Sequence, residues 1–151
     1  MRIRPIRAAD AEALVPLCGQ LGYPATRQQV ERRLVLLADR TDCADQGLFG
    51  AETGEGRLVG WVHVQSRRVL ESDPFAEICG LVVDEGHRGA GVGGELVAAA
   101  ERWAAEHGYL TVRVRSNVIR TDTHRFYERR GYAIVKSQIS FAKTLTSDGR
   151  S

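Results

Sequence analysis

The chain has 151 residues, with 21 Lys and Arg against 19 Asp and Glu and a formal net charge of +2. That length suits one domain with a proper core and leaves no room for a second, and so balanced a charge implies no nucleic-acid partner. Three cysteines (Cys18, Cys43, Cys79), an odd count without short pairing, speak against a disulfide framework and fit a reducing cytoplasm. No signal-like opening and no apolar run of membrane-spanning length is present, so no membrane association is expected. Basic residues gather after Tyr109 (among them Arg113, Arg115, Arg125 and Arg130), which reads first as a solvated face and second as a landing for an anionic cofactor.

Ile3 and Ile6 alternate with polar neighbours and predict an edge strand, which Pro5 helps confine to the border of a sheet. Asp10 is placed to cap a helix carrying Leu14, Leu17, Cys18 and Leu21, and Pro16 inside it should kink or split it. After the Gly22-Tyr23-Pro24 turn, Thr26 and Gln29 form a capping box for a second helix with Val30, Leu34 and Leu37 on one side. Residues 48–51 and 58–64 read as a hairpin around Thr53-Gly54-Glu55-Gly56. His63 shares a side with Trp61 and reads as a half-buried structural histidine ahead of a substrate contact. Asp73-Pro74 closes that region in a loop.

Ile78, Leu81, Val82 and Val83 then predict a buried strand. Val92, Leu96, Val97, Ala100, Trp103 and Ala104 fall on one face of a long helix that Gly108 stops. Residues 110–115 alternate as a half-exposed strand until Ser116-Asn117 interrupts them. A short helix capped by Thr121 or Asp122 holds Phe126 and Tyr127 and ends at Gly131. Residues 132–135 and 139–141 predict a closing pair of strands. Residues 1–145 are thus expected to form a single domain, with 146–151 a polar tail.

Between the central strand and the long helix lies Arg88-Gly89-Ala90-Gly91-Val92-Gly93-Gly94. Glycines let backbone N–H groups converge without a Cβ in the way, the helix start adds its positive dipole end, and Arg88 adds a charge; the combination suits a pyrophosphate. Gly89, Gly91 and Gly94 satisfy the dinucleotide pattern G-x-G-x-x-G. That pattern wants the strand to run straight into the first glycine, whereas Asp84-Glu85-Gly86-His87-Arg88 intervenes. It also wants an acidic residue about 20 positions on, and none stands between Gly108 and Thr121.

A second pattern fits better: Arg88, Gly91 and Gly93 after a Val-Val-Asp strand end, followed much later by His124-Arg125-Phe126-Tyr127-Glu128-Arg129-Arg130-Gly131-Tyr132. Both motifs, in this element order, resemble the GNAT family of N-acetyltransferases over essentially the whole chain. The resemblance implies an α/β fold with a mixed, mostly antiparallel central sheet flanked by helices, of the acyl-CoA N-acyltransferase type. It implies acetyl-CoA as cofactor, with its pyrophosphate on Arg88, Gly89, Ala90, Gly91, Val92, Gly93 and Gly94. The central strand of such proteins splays from its neighbour, which would free backbone groups of Leu81, Val82 and Val83 for the pantetheine, with Asn117 and Tyr127 reaching the same arm. The early helices and the loop at 73–75 would wall the acceptor, a small-molecule amine ahead of a protein. A homodimer is compatible with this reading.

Acetyl transfer to an amine needs a held cofactor, a neutral amine, a polarised carbonyl and protonation of the departing thiolate. Tyr127 is the candidate acid, against core packing of the Phe126-Tyr127 pair. A phenol of pKa near 10 facing a thiol near 8.5 must have its pKa lowered or share its proton late. Glu77 on the central strand is the candidate base or substrate contact, against plain strand polarity; relatives often carry the acid two positions on, where this chain has Cys79. Cys79 reads as a small core residue rather than a nucleophile. His87 and His124 lack ligand spacing, so no metal is expected. The alternatives are an NAD(P)-binding oxidoreductase-type domain and a non-catalytic acyl-CoA sensor.

Overall fold

The computed structural model describes residues 1–38, 45–115 and 121–146. The chain divides into two compact units, Met1–Arg115 and Ser116–Ser151. The first holds β1 (Arg2–Pro5), α1 (Ala11–Leu21), α2 (Arg27–Ala38), β2 (Gln46–Glu52), β3 (Leu58–Arg67), β4 (Phe75–Val83), α3 (Val92–Glu106) and β5 (Val112–Val114). The described strands make one sheet in the order β1-β2-β3-β4-β5, antiparallel except for the parallel pair β4–β5 that α3 connects. This is the mixed, mostly antiparallel sheet flanked by helices that the family resemblance implied.

One face of the sheet lies under α3. Val62 and Val64 are fully buried there, and so are Leu96, Ala100 and Ala104 of the helix. Two glycines bring the layers together: a Cβ on Gly47 would stand 2.9 Å from Trp103 Cδ1, and one on Gly60 would stand 3.1 Å from Leu96 Cδ1. The other face carries α1 and α2, whose Leu14, Leu17, Val30 and Leu34 join Ile6, Leu58 and Val82 in a buried cluster with Trp61 at its margin.

Local chemistry explains most of the boundaries. Thr26 and Gln29 make the expected capping box, Gln29 N–H to Thr26 Oγ1 at 3.1 Å and Thr26 N–H to Gln29 Oε1 at 3.0 Å. Asp10 differs from expectation. Its carboxylate accepts a fork from Arg4 (2.8 and 2.9 Å) and the Arg7 N–H, and gives α1 no side-chain cap. Nor does Pro16 split α1, which runs unbroken from Ala11 to Leu21 at the cost of one backbone bond.

The second unit contains α4 (Thr121–Glu128), closed by Gly131 in the left-handed region (φ 89°) with the Tyr132 N–H on the Tyr127 carbonyl. The closing strands expected at 132–135 and 139–141 are absent among the described residues, where Ile134, Val135, Ile139 and Phe141 are exposed. Alternating hydrophobicity makes a strand only when an adjacent edge supplies ladder partners, and β5 itself extends over three residues rather than the expected six.

Candidate active site

The end of β4 and the turn into α3 form the first half of the site. The parallel ladder with β5 runs through Ala76–Val112, Glu77–Arg113 and Ile78–Val114 and then stops, so Leu81, Val82 and Val83 have no described partner on that side. On the other side the Asp84 N–H donates to the Val59 carbonyl at 2.8 Å. Strand alternation then turns the peptide groups of Val82 into the β3 ladder and those of Leu81 and Val83 toward the opposite edge, the one on which β5 pairs earlier in the strand. Arg88 confirms the direction, its Nε donating to the Val83 carbonyl at 3.1 Å. Among the described residues, the peptide groups of Leu81 and Val83 thus face away from β3, while those of Val82 are turned to β3 and its side chain is buried.

Beyond β4 the chain turns through a 3-10 segment (Glu85–His87) into the glycine loop. Gly89 and Gly91 adopt φ of 84° and 85°, the left-handed region that costs other residues free energy. A Cβ at either would meet nothing within 4 Å, so conformation rather than space requires glycine. Gly91 is the N-cap of α3 and provides no side-chain cap. The first bond of the helix, Glu95 N–H to Gly91 O at 3.1 Å, leaves the amides of Val92, Gly93 and Gly94 without a helical acceptor. Val92 contributes only that amide, because its side chain is buried. Ala90 is exposed in the bend between the two glycines.

A residue not anticipated from sequence fixes this corner. Gln20 of α1 donates to Asp84 Oδ1 (2.9 Å) and accepts the Glu85 N–H (3.0 Å). Asp84 also receives His87 Nδ1 at 3.1 Å, and the Gln20 and His87 contacts hold its carboxyl below the usual carboxylate range. Nothing in local sequence pattern links residue 20 to residue 84.

The second half lies along the α1 face of β3 and β4. The pairs His63–Gly80 and Val64–Ile78 leave Cys79 as an extra residue, a β-bulge on β4. Cys79 is exposed as a residue there rather than a core residue, but its sulfur is partly covered against the Glu77 carbonyl (3.5 Å); that covering, then the Glu77 carboxylate, pushes the thiol up to about 11. A thiol that keeps its proton at neutral pH is a poor nucleophile. His63 Nε2 meets Gln46 Oε1 at 2.6 Å, and burial lowers its pKa, the behaviour of a structural histidine.

Glu77 is buried, and both its oxygens are occupied: Oε1 by Arg115 Nε (2.8 Å) and Nη2 (2.7 Å), Oε2 by Arg67 Nε at 3.3 Å. The candidate base is therefore already engaged by two guanidiniums. In the second unit, Tyr127 is buried with Phe126 and Tyr132 edge-on at 5.1 and 5.6 Å. Burial pushes its phenol up to about 12, against a smaller opposing pull from Arg130. The lowering that would make it a ready proton donor is not what its surroundings produce. Asn117 lies outside the described residues. No group of three or more His, Cys, Asp or Glu among the described residues could hold a metal ion.

A strand end with no described partner on one edge, running into helix-start amides that no side chain caps, is a main-chain cradle of the class that holds phosphorylated cofactors. The family model described as "Acetyltransferase (GNAT) family" matches residues 18–132. The chain therefore belongs to the GNAT acetyltransferase family, and this displaces the dinucleotide reading. It is 35% identical over 91 residues to an aminoalkylphosphonate N-acetyltransferase of Salmonella typhimurium, a stretch covering 60% of this chain and 58% of that protein. It is 28% identical over 148 residues to an aminoglycoside N(6')-acetyltransferase type 1 of Stenotrophomonas maltophilia, covering 95% of this chain and 93% of the other. Among solved structures, an aminoglycoside antibiotic 6'-N-acetyltransferase from Acinetobacter haemolyticus superposes with a TM-score of 0.80 at 17% identity, covering 97% and 100% of the two chains. That last likeness is one of fold.

Proposed function

We propose that the protein is an acetyl-CoA-dependent N-acetyltransferase that moves an acetyl group to a primary amine of a small molecule by direct attack, with residues 1–145 as the working unit. The observation that carries this reading is the end of the β4–β5 ladder beside three helix-start amides that no side chain caps. These residues fit a coenzyme A arm and diphosphate: the Leu81 and Val83 peptide groups face the arm, and the amides of Val92, Gly93 and Gly94 with the guanidinium of Arg88 hold the diphosphate. Gly89 and Gly91, on either side of Ala90, hold the left-handed turns that aim those amides at one point. Bound acetyl-CoA supplies the activated thioester.

The Tyr127 phenol, which keeps its proton through the physiological range, donates a hydrogen bond to the departing sulfur. Glu77 does different work from the base first expected of it: it fixes Arg67 and Arg115 on the acceptor side. The amine then loses its proton to solvent, and the rate follows its neutral fraction. Both curated relatives are named for small-molecule amines, which supports an acceptor of that kind here. No described helix is long and apolar enough to cross a membrane, and work in a reducing cytoplasm agrees with the cysteine usage.

Release of free CoA thiol from acetyl-CoA, followed across a panel of small primary amines, tests this reading. The expected result is amine-dependent release with stoichiometric N-acetylated product. Tight binding of acetyl-CoA with no release for any amine would instead identify a non-catalytic sensor.

A further inference from the structure

The α1 face of the sheet continues past Trp61 and His63 to a patch whose charge is one-sided. Gln65 and Arg67 of β3 lie on it, with Glu77 and Phe75 of β4 and Arg113 of β5. Arg115, two residues beyond Arg113, reaches the same carboxylate that Arg67 does. Arg113 stacks on the Phe75 ring with its guanidinium carbon 4.0 Å from the centroid. Among the described residues of these three strand ends, three guanidiniums thus face one carboxylate, an excess of two positive charges. Asp45, beside Gln46 at the start of β2, is already engaged by Arg68 and by the Ser66 hydroxyl.

The pairing leaves donors over. Arg115 uses Nε and Nη2 on a single Glu77 oxygen, and its side chain is 69% exposed. Trp61 Nε1 and Arg67 Nε are buried N–H donors with no hydrogen-bond acceptor among the described residues, the Arg67 contact to Glu77 being at ion-pair distance but not aligned. A surface with surplus planar donors and surplus positive charge takes oxyanions and repels polycations. The patch borders the bulge at Cys79, two residues from Glu77 along β4 and two from Leu81.

We propose that the acceptor is a small aliphatic amine carrying an anionic group (a carboxylate or a phosphonate), and that the anion docks on the guanidinium edges of Arg115, Arg67 and Arg113. This deepens the N-acetyltransferase reading and rests on it. Glu77 then acts as a positioning residue, holding two of the guanidiniums apart at a fixed spacing and keeping the patch from closing on itself.

The test compares four amines of similar reach: 3-amino-1-propanol, β-alanine, 3-aminopropylphosphonate and spermidine. The expected kcat/KM for the anionic pair exceeds that for the amino alcohol by about tenfold or more, carried by KM, with spermidine poorest. Raising salt from about 0.05 to 0.5 M should erode the anionic advantage and leave the amino alcohol nearly unmoved, a readout that needs no variant. The Arg115→Gln variant should bring the anionic-to-neutral ratio toward one. Arg113→Gln, which breaks no ion pair among the described residues, should lower the same ratio in part, and it serves where half-paired Glu77 prevents the first variant from folding. Which anionic amine is preferred distinguishes carboxylate from phosphonate recognition. Equal or better use of the amino alcohol or spermidine, with CoA released, overturns this proposal and leaves the N-acetyltransferase reading standing. Acetylation of none of the four overturns this proposal, and it overturns the N-acetyltransferase reading as well only where the wider amine panel also releases no CoA.

Discussion

Replacing Tyr127 by Phe is expected to lower kcat by about 10- to 100-fold while leaving KM for acetyl-CoA within about twofold. The size follows from what a buried phenol can do. With its pKa pushed up to about 12, the phenol lies roughly 3.5 units above a thiol, and complete proton transfer would be uphill by about 5 kcal/mol. A hydrogen bond donated to a sulfur that becomes charged is worth about 1.5–3 kcal/mol, and only in the transition state, so its loss appears in kcat. The pH dependence carries the sign. A group whose pKa is raised by burial stays protonated up to that higher pKa, so Tyr127 imposes no falling limb below about pH 11. The rate should climb with pH as an alkylamine near pKa 10 loses its proton, and the Tyr127→Phe profile should keep that shape at a lower level. An unchanged kcat, or a wild-type falling limb near pH 8–9 that the variant abolishes, would show that the phenol acts otherwise.

Gly91→Val is expected to weaken coenzyme A binding by about 10- to 100-fold, with Gly91→Asn keeping affinity within about threefold of wild type. Gly91 sits at φ 85° with open space where a Cβ would go, so the penalty is conformational and not a clash. A β-branched residue pays about 1–3 kcal/mol to remain left-handed, or leaves that region and rotates the amides of Val92, Gly93 and Gly94 away from a common point. Asparagine tolerates the left-handed region far better. Pantetheine, which lacks the diphosphate, should bind both variants and the wild type alike. Calorimetry on the three proteins with both ligands checks this. Equal losses for Val and Asn, or equal losses for pantetheine, would show that the loop matters for some other reason.

Element order was readable because it rests on local chemistry. The Thr26–Gln29 capping box, the apolar face of α3, the Gly108 and Gly131 stops and the glycine loop each depend on residues within a turn or two of one another. What escaped the sequence depends on partners far along the chain. Gln20 reaches Asp84 across 64 positions, and Arg115 reaches Glu77 across 38. No periodicity announces either. The Cys79 bulge was hidden because a register shift is a property of two strands, and the choice of Leu81 and Val83 over Val82 follows from that same pairing. Tyr127 shows the limit for electrostatics: motif position suggested an acid whose pKa would have to be lowered, while burial acts in the opposite direction and outweighs Arg130. Residues 132–141 show it for strands, since alternation predicted a pair that the described chain does not form.

The central claim is that main-chain amides of the glycine loop, with those of Leu81 and Val83, receive the cofactor. Titrating isotope-labelled protein with coenzyme A and following amide resonances tests it most directly. The expected result is saturable shifts at Gly89, Gly91, Val92, Gly93, Gly94, Leu81 and Val83, with the Val82 amide, bonded into β3, nearly still. Saturable binding that moves other amides and leaves these seven unshifted would contradict the account.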